Sequence, residues 1–261
     1  MEPTPPDRLL HAVDLDYYRS HVLFLGNSPA GEVVDSRDLL IACCGFPMGE
    51  HNLAILKPTL DDLDAAIERA ERYYGEREFP FRFSARSGFE ERCAKQLVES
   101  GYTAERPVPV MAMQPLREAP VLNTPGFEIV EVGAGADLDD YQRVTETGFG
   151  LPLGVGKFIL SDLVVERPDV TAYLARKDGK AVATSLVQMS NRVGGIYFVA
   201  CLEEERRRGY GEAVTWAAVR GGAKRGSEVA SLQASEMGQP VYVRMGFDVV
   251  ARYHEFASPT H

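Results

Sequence analysis

The chain reads as an α/β protein built of two domains, and three observations lead there. Apolar, β-branched runs of strand length alternate with helix-spaced patterns from end to end. One such run, Gly194 to Cys201, meets a charged, glycine-bearing turn that opens straight onto a helix pattern. A proline-rich, weakly periodic stretch from Pro115 to Gly126 breaks the alternation and reads as a linker. The expected layout is an N-terminal α/β domain over residues 1–118, a linker over 119–126 and a second domain over 127–261.

The elements follow in order. Residues 1–6 are proline-rich and expected to be loose. Arg8 to His21 carries Leu9, Leu10, Val13 and Tyr17 at near-helical spacing. Asp38 to Cys44 and Asn52 to Leu56 read as buried strands around a hairpin-like loop, Gly45 to Gly49. Thr59 is the expected N-cap of a helix running to about Tyr74, with Asp61 and Asp62 complementing its dipole. Phe79 to Ser84 is a strand, Phe89 to Ser100 a helix closed by Gly101, and Val108 to Met113 a strand.

Beyond the linker, Phe127 to Val132 reads as a strand and Asp137 to Thr147 as a helix. Phe149 to Gly156 forms a glycine- and proline-broken loop, followed by a short helix to about Leu163. Val170 to Arg176, the Asp178-Gly179 turn and Lys180 to Gln188 make a hairpin, with Val193 to Cys201 as the next antiparallel strand. A helix with Val214, Ala217 and Ala218 on one face comes next, then strands over Val229 to Ala234 and Asp248 to Phe256.

Composition narrows the function classes. The 261 residues are 45% hydrophobic and 25% charged, as in an ordinary globular protein. A formal net charge of −10 argues against broad nucleic-acid binding, and Arg206, Arg207 and Arg208 follow directly on Glu203, Glu204 and Glu205. Cys43, Cys44, Cys93 and Cys201 show no metal spacing, and the histidines form no i, i+4 pair. Reduced cysteines, no signal peptide and no apolar run of membrane length lead to the expectation of a cytoplasmic protein. Neither a metal, a membrane nor a nucleic acid is expected as partner, and the oligomeric state, monomer or homodimer, is open.

The chemistry concentrates at Arg206-x-x-Gly209-x-Gly211. A strand, a glycine loop and a helix start bring successive backbone N–H groups to face one point, a ready site for a phosphate or pyrophosphate. The pattern is not a Walker loop, since no Gly-Lys-Ser/Thr follows, nor the dinucleotide fingerprint, which needs a third glycine. About thirty residues downstream stands Leu232-Gln233-Ala234-Ser235-x-x-Gly238-x-Pro240-Val241-Tyr242-x-x-x-Gly246-Phe247.

Together these two motifs resemble the GCN5-related N-acetyltransferases, the GNAT superfamily, over residues 126–257. The resemblance implies a mixed, mostly antiparallel twisted sheet flanked by helices. It also implies acetyl-CoA as co-substrate, with no metal, and direct attack by the primary amine of a small molecule or peptide. By the same likeness Val199, Ala200 and Cys201 offer backbone to the thioester and pantetheine. Arg206, Arg207, Arg208, Gly209, Tyr210, Gly211 and Glu212 form the pyrophosphate loop, and Ser235 stands where many members carry a cofactor-touching asparagine. Tyr242 matches the general acid that protonates the departing thiolate. The loop at 149–156 takes the place of an acceptor-cleft wall.

The strand before the loop lacks the glutamate that some members use as base, so no base is identified, and Glu236 reads as a surface residue. Cys201 has no histidine close in sequence and reads as no covalent nucleophile. Trp216, Gly246 and Phe247 read as packing residues. Glu99-Ser100-Gly101-Tyr102 and Val108 to Met113 resemble the tail of a GNAT domain, which implies a degenerate, smaller partner half in a tandem protein, beside the alternative of an unrelated α/β extension. Two further readings stay open: a non-catalytic acyl-CoA-binding module, and transfer of a longer acyl group or to a hydroxyl.

Overall fold

The computed structural model of the protein describes residues 6–120 and 124–259. Helix α1 spans Pro6–Gly26, and β1 (Glu32–Asp35), β2 (Leu39–Cys43) and β3 (Leu53–Leu56) follow. Next come α2 (Leu63–Gly75), β4 (Arg82–Arg86), α3 (Ala94–Glu99), β5 (Thr103–Ala104) and β6 (Val108–Met113). The second half continues with β7 (Phe127–Val132), α4 (Ala136–Phe149), α5 (Val155–Ile159), α6 (Asp162–Val165), β8 (Val170–Lys177) and β9 (Lys180–Ser190). It closes with β10 (Val193–Cys201), α7 (Tyr210–Lys224), β11 (Val229–Gln233), α8 (Gln239–Met245) and β12 (Asp248–Ala257).

Two compact units result, and they do not follow a single cut at 119–126. One comprises the chain up to Ser20 together with Met111–Val249; the other comprises His21–Val110 and Val250–His261. The physical reason lies in strand pairing. The terminal strand β12, expected to close the second domain, pairs instead with β4, from Tyr253 opposite Arg86 to Ala257 opposite Arg82. The end of β6, expected in the first domain, lies beside β11. Of the expected linker, residues 121–123 lie outside the described residues.

In the smaller unit β1, β2 and β3 form an antiparallel meander, and β3 runs parallel to β4 across the α2 crossover. Its core gathers Tyr74, Phe81, Phe83 and Leu97 with Phe256 of β12. The helix α2 begins later than expected. Asp62, not Thr59, is its cap, accepting from Ala65 N at 3.0 Å, while Thr59 Oγ1 donates to Arg37 O. Two short strands, β1 and β5, were not legible as runs, being mostly exposed and of four and two residues.

In the larger unit β7, β8, β9 and β10 are antiparallel neighbours, and β10 runs parallel to β11 through α7. The sheet separates two layers of helices. Ser185 Oγ of β9 donates to Val214 O, placing α7 on one face. Thr184 Oγ1 meets Thr145 Oγ1 of α4 at 3.2 Å on the other face, where Ser190 also receives Arg19 of α1.

Candidate active site

The site begins with the parting of two strands. β10 and β11 pair only from Val193–Val229 to Gly195–Ser231, while β10 continues six residues further, to Cys201. On its other side β10 stays with β9, but between the Tyr197–Leu186 and Ala200–Thr184 pairs it bulges. Phe198 takes φ +52° there, a left-handed backbone rare for an aromatic residue, and its carbonyl accepts from Thr184 Oγ1 at 3.0 Å. The stretch from Ile196 onward therefore has no β11 partner, and its open side faces a wedge between the strands. Residues 197–199 are half-buried in a strand whose earlier residues are buried.

At the mouth of that wedge α7 starts without a side-chain cap. Gly209 turns the chain at φ +83°, and Ala213 N is the first amide to return to it, bonding Gly209 O at 2.9 Å. Among the described residues the amides of Tyr210, Gly211 and Glu212 meet no backbone acceptor, as at any helix start. A Cβ placed on Gly209 or Gly211 would meet nothing within 4 Å, so the space before these amides is clear. The expected loop residues come together here with differing parts. Arg206 Nη2 donates to Gly148 O of α4 at 3.3 Å, and Arg208 pairs with Glu205 at 2.9 Å. Arg207 is exposed and makes no ion pair among the described residues. Tyr210 is buried, its ring stacked on Phe127 with centroids 4.9 Å apart, so only its amide faces the loop.

The side chains of 199–201 are packing groups, leaving their backbone as the usable part. Val199 and Cys201 pack with Tyr210 and Val214, and Ala200 abuts Gly148. Burial pushes the Cys201 thiol up to about 11, the wrong direction for a nucleophile. Ser235 is exposed and accepts from Gly238 N at 3.1 Å, forming the turn into α8. Tyr242 is buried in the core with Phe247, their ring centroids 5.9 Å apart. Burial pushes its phenol up to about 12, so it holds its proton at neutral pH, and its hydroxyl lies beside Thr215. Thr215, which sequence reasoning did not single out, donates to Gly211 O at 2.8 Å and so joins Tyr242 to the start of α7. Its spacing, one helical turn after Gly211, was the available signal.

The loop assigned to the acceptor side is held by Glu146 of α4, whose Oε1 accepts from Gly154 N at 2.9 Å and Gly156 N at 2.7 Å. Around it Phe149, Leu153 and Leu163 are largely exposed. A cavity of about 360 Å³ lined by Asp139, Gln142, Lys157 and Asp162 sits toward the start of α4. Asp139 and Gln142 lie roughly 9–14 Å of helix before Gly148, and the cavity's lining includes no residue of the cradle.

A strand pair parting before an uncapped helix start is a geometry that suits a phosphate-bearing ligand. Residues 140–247 match the model of the acetyltransferase (GNAT) family, and this stretch is a GNAT domain. A GCN5-related N-acetyltransferase from Kribbella flavida superposes with TM-score 0.70 at 19% identity, covering 94% of this chain and 95% of its own. One from Sphaerobacter thermophilus gives TM-score 0.66 at 20% identity, over 87% and 75%. A tandem GNAT protein from the clavulanic acid biosynthesis pathway covers 99% of this chain and 98% of its own, with TM-score 0.61 at 14% identity. At these identities the likeness is one of fold. No curated protein matches the chain. The family uses acetyl-CoA, and among the described residues no group of metal-ligating side chains could hold an ion. No helix among them is long and apolar enough to cross a membrane.

Proposed function

We propose that the protein is an acetyl-CoA-dependent N-acetyltransferase acting on the primary amine of a small molecule or peptide. The observation that carries this reading is the clear, uncapped start of α7 beside the wedge between β10 and β11. The amides of Tyr210, Gly211 and Glu212 and the free Arg207 suit a pyrophosphate, which gains from both the helix dipole and the guanidinium. The unpaired edge of β10 offers the pantetheine amides a strand to lie against. The bulge interrupts the β9 register between Tyr197 and Ala200, and a backbone amide there would suit the oxygen of the thioester, where negative charge builds during attack.

The amine nitrogen attacks the thioester carbon, the C–N bond forms and the C–S bond breaks. Tyr242, neutral at physiological pH, supplies the proton that turns the leaving thiolate into a thiol. The exposed Phe149, Leu153 and Leu163 favour an acceptor with apolar surface next to its amine. Thiol release from acetyl-CoA over a panel of amines tests the reading. Coenzyme A binding without release would leave a binding module, and release only from longer thioesters would change the acyl donor.

A further inference from the structure

The wedge has a polar floor that the loop chemistry does not use. Asp16 of α1 is fully buried, and its carboxylate stands directly over Gly195, the last β10 residue paired with β11. A Cβ at Gly195 would run into both carboxylate oxygens of Asp16, so glycine is what admits the acid. Tyr197 Oη donates to Asp16 Oδ2 at 2.8 Å, while Oδ1 has no hydrogen-bond partner. The residues directly opposite Gly195 are Gln188 on β9 and Ser231 on β11, whose side chains share its face. Both are buried, and Gln188 Oε1 and Ser231 Oγ are also without partners. Asp16 Oδ1, Gln188 Oε1 and Ser231 Oγ are thus three buried, unpartnered polar atoms on one face at the Gly195 rung, where such groups are almost always paired.

We propose that Asp16, acting through Tyr197, takes up the proton that the acceptor amine loses during transfer. The inference rests on the acetyltransferase reading and supplies the base that β10 lacks. Tyr197 is half-buried at the parting of the strands, and its hydroxyl reaches back to the carboxylate. As the C–N bond forms, the amine N–H proton passes to Tyr197 Oη and the phenolic proton passes to Asp16. The phenol is regenerated, Asp16 becomes a neutral acid, and Tyr242 protonates the sulfur, so that amine and thioester become amide and thiol. Once the amide has left, Asp16 returns its proton to water by the same route and the Tyr242 phenolate takes one back from water, so both groups are restored for the next turnover.

The electrostatics agree with the geometry. Burial pushes Asp16 up to about 7, opposed by the Tyr197 hydrogen bond and by Arg19. On its own helix Arg19, with Nη1 on Ser190 of β9, is the charged group that draws it down, and the buried acid Asp14 stands two residues earlier. Tyr197 is the titratable group β10 presents, and β9 and β11 present Gln188, Ser190 and Ser231, which carry no charge. A base that titrates near 7 is matched to work at neutral pH.

The test is the pH dependence of turnover in Asp16→Asn and Tyr197→Phe, with acetyl-CoA and the best amine of the panel. Wild type should lose activity below about pH 7. Asp16→Asn should lower kcat by about 100- to 10,000-fold and abolish that acid limb, with acetyl-CoA affinity by calorimetry within about twofold. Turnover within about threefold of wild type, with the limb intact, would overturn the proposal. Should Asp16→Asn not fold, Tyr197→Phe decides. It removes the bond that lowers Asp16, so kcat should fall and any remaining acid limb move to higher pH, and an unchanged profile would overturn the relay. Wild type that releases no thiol with any amine would instead overturn the acetyltransferase reading, and the relay with it.

Discussion

The two units repeat one succession of elements and put it to opposite ends. In each, an antiparallel hairpin leads into a strand, a helical crossover and a parallel strand: β2, β3, α2, β4 in one and β9, β10, α7, β11 in the other. In the smaller unit the parallel pair holds from Leu53–Arg82 to Ile55–Ser84, nearly the whole of β3. Tyr74 is buried against this pair, its hydroxyl donating to Ala42 O and Leu53 O and its ring stacked on Phe81. In the larger unit three rungs serve a nine-residue strand, and the rest of β10 stands open.

The helix starts differ in the same sense. Asp62 caps α2 with its own carboxylate, which takes the Ala65 amide, and Asp61 is its neighbour in sequence, so a phosphate would meet negative charge there. Gly209 leaves α7 uncapped, with arginines before it. A binding site on this succession thus needs two departures from a well-finished domain, strands left unpaired and a helix left uncapped. The smaller unit has finished both.

Breaking the units apart should have the largest effect. A fragment of residues 120–261 lacks the part of α1 up to Ser20 and Met111–Met113, both within the larger unit, and leaves β12 without β4. It should aggregate or dimerise, and a monodisperse, fully active monomer by light scattering would show the units to be independent.

Next comes Tyr242→Phe, which keeps the ring against Phe247 and removes one hydroxyl. Loss of general-acid help should lower kcat by about 100- to 10,000-fold, while acetyl-CoA affinity changes by less than about tenfold, under ~1.4 kcal/mol. An earlier melt with normal turnover would make Tyr242 a packing residue only. Gly211→Phe fills the clear space before the α7 amides and should weaken coenzyme A binding by at least about 100-fold, or ~2.7 kcal/mol. Unchanged affinity by calorimetry in the folded variant would remove the cradle from the loop.

Each unit also holds one carboxyl raised by burial, Asp16 in the larger and Glu255 in the smaller, both pushed up to about 7. Glu255 is drawn back down in part by Arg82. A carboxyl that binds its proton more tightly folded than unfolded gives stability that is full below about pH 4 and lost as pH rises through 7. The melting temperature should therefore fall between pH 5 and about pH 8. Asp16→Asn and Glu255→Gln should each flatten part of that slope, and a slope unmoved by both would mean that neither acid titrates there. The smallest effect belongs to Asp62→Ala, which removes the cap of α2. It should cost about 0.5–2 kcal/mol in denaturant unfolding and leave acetyl transfer as it was.

The sequence by itself determined most of the frame. Strand β6 and strand β7 run from Val108 to Met113 and from Phe127 to Val132, as the apolar runs predict, and the hairpin of β8 and β9 turns at Asp178-Gly179. The turn from Arg206 to Gly211 was readable as the join of a strand and a helix because neighbours in sequence stay neighbours across one turn, whereas the role expected of Tyr242 came from the resemblance alone. What only the tertiary structure decided is whatever pairs across long separations. The exchange of β6 and β12 between the units is invisible to periodicity, because a strand pattern says which face is buried and not which partner it joins. The parting of β10 from β11 is likewise a matter of where pairing stops. Asp16 had a faint signal, an acid three residues after Val13 on the apolar face of the predicted helix. Its meeting with Gly195 and Tyr197, some 180 positions away, follows from the packing of α1 on the sheet, which no local spacing records.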